Sequence, residues 1–173
     1  ASDHLSIIEA SNILVQKGIT AFEVFFWLGN VTDQKLEEQY TKKIQEYKLN
    51  DIVKIVKHPF LDFEDIIAIW KKMNAGLQIA INDQFSTTVI EPLLLKKDMI
   101  ITDIFPYQKL IEMYPKLDLE LTPLDAKEIS KKMEALVKGH SVSEEILDNR
   151  KKVIEAHFNF EKNLSKMLEF YIK

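Results

Sequence analysis

Short apolar runs alternate with longer amphipathic segments along the whole chain, and that alternation limits the folds open to it. Residues 22–28, Phe-Glu-Val-Phe-Phe-Trp-Leu, are rich in aromatic and β-branched side chains and close on Gly29-Asn30, the pattern of a buried strand and a turn. Runs at 52–56, 77–81, 99–102 and, more weakly, 117–121 read as further strands. Helical patterns separate them. Residues 4–17 carry Leu5, Ile8, Leu14 and Val15 and stop at Gly18. Residues 33–48 space Leu36, Tyr40, Ile44 and Tyr47 along one face. Asp62 has the chemistry of an N-cap, with Glu64 and Asp65 in the first turn of a helix to about residue 73. Helices follow over 86–96 and over 106–114, the second opened by Pro106. Asp125 with Glu128, and Ser141 with Glu144, form capping-box patterns for the last helices. Single strands alternating with single helices bury their apolar faces as a parallel sheet with helices on both faces, so a Rossmann-like α/β fold is expected.

One domain is expected over 1–173, with a C-terminal helical stretch at 141–172. That stretch carries Ile146, Val153, Phe160 and Met167 at seven-residue spacing and is expected to divide near Asn159. A doubly wound sheet ordinarily has its first strand at the centre, whereas here a helix comes first. The expectation is a strand supplied by sequence before Ala1, or an excised piece of a longer protein.

Composition narrows the function classes. The net charge is −4, and Arg150 is the one arginine among 23 basic residues. Nucleic-acid binders carry a basic balance and arginine forks, so no nucleic-acid partner is expected. Without cysteine there is no thiol nucleophile or thiolate metal site. The apolar runs are too short to span a bilayer and no leader pattern opens the chain, so a cytoplasmic setting without a transmembrane segment is expected. No pair among His4, His58, His140 and His157 has metal-ligand spacing on one helix. Asp118-Leu-Glu120 is the nearest thing to an Asp-x-Asp pair; it falls in the weak strand, with both acids on one face that reads as solvent. No metal site is expected.

Residues 82–91, Asn-Asp-Gln-Phe-Ser-Thr-Thr-Val-Ile-Glu, are where chemistry concentrates. They leave a buried strand and open a helix. Ligands of open parallel sheets bind at the carboxyl ends of strands, and free amides with the helix dipole attract phosphate there. Ser86, Thr87 and Thr88 add hydroxyls at the helix start. Glu91, about one turn further in, has the chemistry to accept two hydrogen bonds from a ribose diol. The same pattern also suits a plain helix start capped by Asp83 or Ser86, and the residues alone leave both open. His58 ends a strand beside Pro59 on the ligand side, as part of a base pocket with Phe60 or as an ordinary loop residue.

The order of these features resembles the C-terminal domain of retaining GT-B glycosyltransferases: strand, His58-Pro59, Asp62-Phe-Glu-Asp65 through Trp70, Gly76-Leu-Gln-Ile-Ala-Ile81, Asp83-Gln-Phe-Ser86, Glu91 and Thr102-Asp103. The phrase from Asp83 to Glu91 has the eight-residue offset of that family's Glu-x7-Glu signature. Residues 158–171 resemble the family's closing helix. The resemblance implies half of a GT-B fold that binds a nucleotide-diphosphate sugar as substrate, with no other cofactor and no catalytic metal. It implies transfer of a hexose-type sugar to a glycan or lipid acceptor, as in polysaccharide biosynthesis. It assigns ribose binding to Glu91, the face of the donor sugar and the catalytic role to Asp83, and the diphosphate to Ser86 and Thr87, with Thr88 beside them. The acceptor would be held by a missing N-terminal domain, and the intact protein would be compatible with peripheral membrane contact. The chain departs from the family in four ways. The first acid is Asp, Ser86 stands where glycine is usual, Pro92 follows Glu91, and the basic pair after the family's first strand has no counterpart. Two other readings stay open: a non-catalytic interaction domain with a degenerate GT-B fold, and half of a nucleotide-sugar epimerase.

Overall fold

The computed structural model describes residues 3–28, 33–57, 62–83 and 86–158. Among the described residues five parallel strands alternate with helices. The elements are α1 (His4–Gln16), β1 (Val24–Leu28), α2 (Gln34–Glu46), β2 (Val53–Lys57), α3 (Phe63–Lys72), β3 (Ala75–Gln78), α4 (Thr87–Leu94), β4 (Asp98–Thr102), α5 (Phe105–Met113), the 3-10 turn Pro115–Leu117, β5 (Leu121–Thr122), α6 (Ala126–Val137) and α7 (Glu144–His157). The strands pair as expected, always in parallel, but in two groups: β1 with β2, and β3-β4-β5.

Helix starts follow local chemistry. Asp62 accepts from the Asp65 amide at 2.9 Å, and Asp125 accepts from the amides of Lys127 and Glu128 at 2.9 and 3.1 Å. Each satisfies first-turn donors that have no intrahelical partner. The cap of α7 is Ser143, which accepts from the Ile146 amide, and not the expected Ser141.

Side-chain alternation along β4 sorts the helices into two layers. Ile100 joins a cluster with Ile8 and Leu14 of α1, Tyr40 and Ile44 of α2, and Ile129 of α6. Met99 and Ile101 face the other way, into a cluster with Val89 and Leu93 of α4, Tyr107 of α5 and Ile154 of α7. This is the expected Rossmann-like arrangement, with parallel strands, here in two small sheets, flanked by helices on both faces.

Two expected strands shift. The strand expected at 77–81 forms over Ala75–Gln78, with Ala80 in a single bridge beyond it and the Ala80 amide donating to the Thr102 hydroxyl at 2.9 Å. The run 117–121 contains the end of a 3-10 turn, with Asp118 left-handed at φ 46°, and only Leu121–Thr122 pair as strand. Asp118 and Glu120 therefore sit outside a strand; both are exposed, and Glu120 pairs with Lys132. The predicted break near Asn159 and the rest of the closing stretch lie outside the described residues. Among the described residues no helix is long and apolar enough to cross a membrane.

Candidate functional site at the start of α4

The connection from β3 leads directly into α4. Ser86 is its N-cap, so the helix begins where the Ser/Thr cluster predicts. The Ser86 side chain does not cap the helix. Its hydroxyl turns instead to Asp83 Oδ2, 3.2 Å away, and to the Thr88 hydroxyl. The first-turn amides are thus left without that side-chain acceptor, and Thr87 and Thr88 are exposed at the same end. The N-terminus of a helix at the carboxyl end of a parallel strand is the place in such a fold where backbone amides and the helix dipole favour phosphate.

Asp83 is held from three sides. Its Oδ2 accepts from Gln78 Nε2 at 2.7 Å, from Ser86 Oγ and from the Tyr107 hydroxyl. Thr88 in turn donates to Gln78 Oε1 at 2.7 Å. Gln78, Asp83, Ser86, Thr88 and Tyr107 form one network linking β3, α4 and α5. Burial, reinforced by the Asp83 carboxylate, pushes the Tyr107 hydroxyl well above its ordinary pKa, so it stays a donor at neutral pH. Gln78 and Tyr107 were not among the expected site residues. The signal for Tyr107 is Pro106: a proline opening α5 puts the next side chain in a first turn beside the same strand ends.

Glu91 is half-buried in the second turn of α4, and its Oε2 accepts from Trp70 Nε1 of α3 at 3.2 Å. Among the described residues its other oxygen has no hydrogen-bond partner. Trp70 fits close to β3 because residue 76 is glycine; a Cβ there would collide with the Met99 sulfur and lie 3.2 Å from the indole. Pro92 lies inside α4 and is buried. It offers no amide to the helix ladder, and α4 ends at Leu94, within one turn of it.

His58 lies outside the described residues. His157 packs against the Tyr114 ring, with centroids 4.6 Å apart. No group of three or more His, Asp or Glu side chains able to hold a metal occurs among the described residues. Two surface concavities, of about 330 and 640 Å3, lie along α2 with Lys57 and beneath β1 around Phe22 and Ile52. Neither is lined by Asp83, Ser86, Thr87, Thr88 or Glu91. Strand polarity and helix chemistry, rather than cavity size, single out the start of α4. The β3–α4 connection exposes Ile81 and the start of α5 exposes Phe105, 62% and 68% accessible.

No protein-family model matches the chain, and no curated protein matches it. Among solved structures it is similar to sucrose-phosphate synthase from Thermosynechococcus elongatus, with a TM-score of 0.75 at 19% sequence identity. The match covers 98% of this chain and 42% of that one. The chain therefore has a glycosyltransferase-like fold and spans less than half the length of the protein it matches.

Proposed function

We propose that the chain is the nucleotide-sugar donor-binding domain of a glycosyltransferase that moves a hexose-type sugar to a glycan or lipid acceptor. One observation carries this reading. In a glycosyltransferase-like fold, the carboxyl end of β3 runs into a helix whose first turn is uncapped by its own N-cap residue, with Glu91 one turn deeper. Thr87 and the first-turn amides take the diphosphate, with Ser86 and Thr88 holding the turn. Glu91 Oε1 accepts from the ribose while Oε2 keeps Trp70. Asp83, fixed by Gln78, Ser86 and Tyr107, faces the donor sugar as a positioned acid. His58 belongs to the base pocket. No metal or further cofactor is needed in this scheme. The acceptor comes from a second domain, so the 173-residue chain binds the donor without turnover. A cytoplasmic setting belongs to the same reading.

The test is binding of uridine, guanosine, adenosine and thymidine diphosphates, followed by melting and calorimetry. The preferred nucleotide should stabilise the chain by about 2.7 kcal/mol at a hundredfold excess over its dissociation constant. Glu91→Gln keeps an acceptor for Trp70 but loses the charge on the ribose bond, so affinity should fall about tenfold, with a loss of stability no larger than about 1 kcal/mol from the weaker Trp70 bond. A folded Glu91→Gln variant with unchanged affinity would remove the ribose assignment.

A second reading is favoured by the closed network itself. Asp83, Ser86 and Thr88 spend hydrogen bonds on one another and on Gln78 and Tyr107, as in a domain that keeps the fold for protein contact. Absence of binding by all four nucleotides would select it.

A further inference from the structure

We infer that the Gln78 side-chain amide is a two-position relay, which couples an anion held at the Thr88 hydroxyl to uptake of one proton by the Asp83 carboxylate. The inference rests on the diphosphate reading proposed above and states how that site is regulated.

Gln78 closes β3 and is 8% exposed. A buried amide has a donor end and an acceptor end, and both need partners. Its Nε2 donates to Asp83 Oδ2 at 2.7 Å, and its Oε1 accepts from the Thr88 hydroxyl at 2.7 Å. The direction is forced. An ionised carboxylate only accepts, so a charged Asp83 keeps the amide nitrogen on its own side and turns the oxygen to Thr88. The Thr88 hydroxyl has a single proton, and the resting network gives it to Gln78.

Thr88 is exposed in the first turn of α4. An anion there accepts hydrogen bonds, so it competes with Gln78 for that proton. Once the anion has it, Oε1 lies buried beside a hydroxyl that no longer donates to it. A half-turn of the amide plane removes the mismatch: Nε2 then donates to Thr88 Oγ1, and Oε1 faces Asp83. Two acceptor oxygens with no hydrogen between them repel, so the turn needs a proton on Asp83. That proton comes from solvent, and the new bond runs from the Asp83 carboxyl O–H to Oε1. The Tyr107 hydroxyl, also within hydrogen-bond reach of Gln78, offers the rotated oxygen a second donor.

The surroundings set the resting charge. Gln78, Ser86 and Tyr107 all donate to Asp83 Oδ2, which favours the carboxylate. Tyr107 is held protonated by burial and by that carboxylate, so it does not titrate in the same range. The other charged groups on the adjoining elements have partners of their own: Glu91 of α4 with Trp70, Asp103 after β4 with Gln108, and Lys109 of α5 with Glu112. Linkage is reciprocal, so protonation of Asp83 strengthens anion binding by the factor by which the anion strengthens protonation.

The test follows the isotope-labelled Asp83 carboxyl carbon by NMR across pH in the full 173-residue chain. Thr88→Val removes the donor to Oε1 without any ligand, so the Asp83 midpoint should rise by about one pH unit, tenfold in proton affinity. In a Gln78→Met background the same change should give no rise. Sulfate, whose charge is fixed over this range, and uridine diphosphate should each raise the midpoint more in the parent than in Gln78→Met, where charge repulsion alone remains. An equal rise on binding in both proteins, or a Thr88→Val effect that persists without Gln78, would overturn the relay and leave the nucleotide reading standing. If neither sulfate nor any of the four nucleoside diphosphates shifts the Thr87 and Thr88 amides, that reading falls, and the coupling to an anion falls with it.

Discussion

The Trp70 indole N–H donates to the Glu91 carboxylate at 3.2 Å, tying α3 to α4 at the residue proposed above to hold a ribose. A carboxylate can serve both masters because it accepts at two oxygens. Trp70→Phe removes the donor together with part of the ring. Stability should fall by about 1–3 kcal/mol in denaturant unfolding, as for a hydrogen bond to a charged group. Nucleotide affinity should fall by no more than a few fold, less than in Glu91→Gln. A larger loss in the Trp70 variant would make the indole, not the carboxylate, the ligand contact.

Tyr107→Phe tests the network beneath the site. The ring is fully buried and its hydroxyl donates to Asp83, so truncation leaves that carboxylate one donor short in a half-buried place. A cost of about 1–3 kcal/mol is expected from equilibrium unfolding. If Asp83 positions the donor sugar, binding of a nucleotide sugar should weaken while binding of the bare diphosphate is kept. Equal losses for both would make the network purely structural.

Much of this fold was legible because much of it is local. The caps Asp62 and Asp125 were readable because a cap acts within three residues of itself, and the start of α4 at Ser86 was readable as a strand-to-helix switch although the Ser86 side chain makes no cap bond. The layers were readable because apolar periodicity follows from element geometry. The failures are where distant residues decide. The turn at 115–118 is held by Arg150, more than thirty residues later, and its left-handed Asp118 has no cue in composition. The split of the strands into two groups depends on neighbours across the sheet, which periodicity does not encode. At the site, the 83–91 cluster could be picked out as a strand-to-helix switch. Its closure by Gln78 and Tyr107 is a through-space arrangement from two other elements.

His4 supplies a pH-dependent element of stability. It lies between the rings of Phe26 and Tyr40, with centroids 4.6 and 5.1 Å away. Its Nδ1 is buried without a hydrogen-bond partner among the described residues. Burial lowers its pKa from the ordinary 6.5, and the nearby Asp3 carboxylate opposes that shift only in part. The unfolded chain therefore binds the proton first as pH falls. His4 should cost no stability well above pH 6.5, and stability should drop as pH falls through 6.5 until the folded form protonates too. His4→Phe should flatten that part of the profile between about pH 7 and 5 relative to the parent. Parallel profiles for the two proteins would show that the imidazole is not the titrating group.

The single arginine sets the position of α7. Arg150 is 3% exposed and spends its guanidinium on three acceptors: Leu117 O through Nε at 2.8 Å, Asp118 O through Nη2 at 2.7 Å and Asp98 Oδ1 through Nη1 at 3.1 Å. Asp98 opens β4 and also accepts from the Val142 amide at the approach to α7, so one ion pair joins the strand, the 3-10 turn and the last described helix. Only a planar fork with several fixed donors meets three acceptors in these directions. Arg150→Ala leaves Asp98 without its charge partner and two carbonyls without donors, and should cost about 3–5 kcal/mol. Arg150→Lys keeps the charge but has a single point of contact, so it should recover less than half of that loss. The measurement is equilibrium urea unfolding of the three proteins, with the Asp98→Asn variant closing a double-mutant cycle. Full rescue by lysine would mean that charge alone matters, and the fork geometry assigned to Arg150 would be wrong.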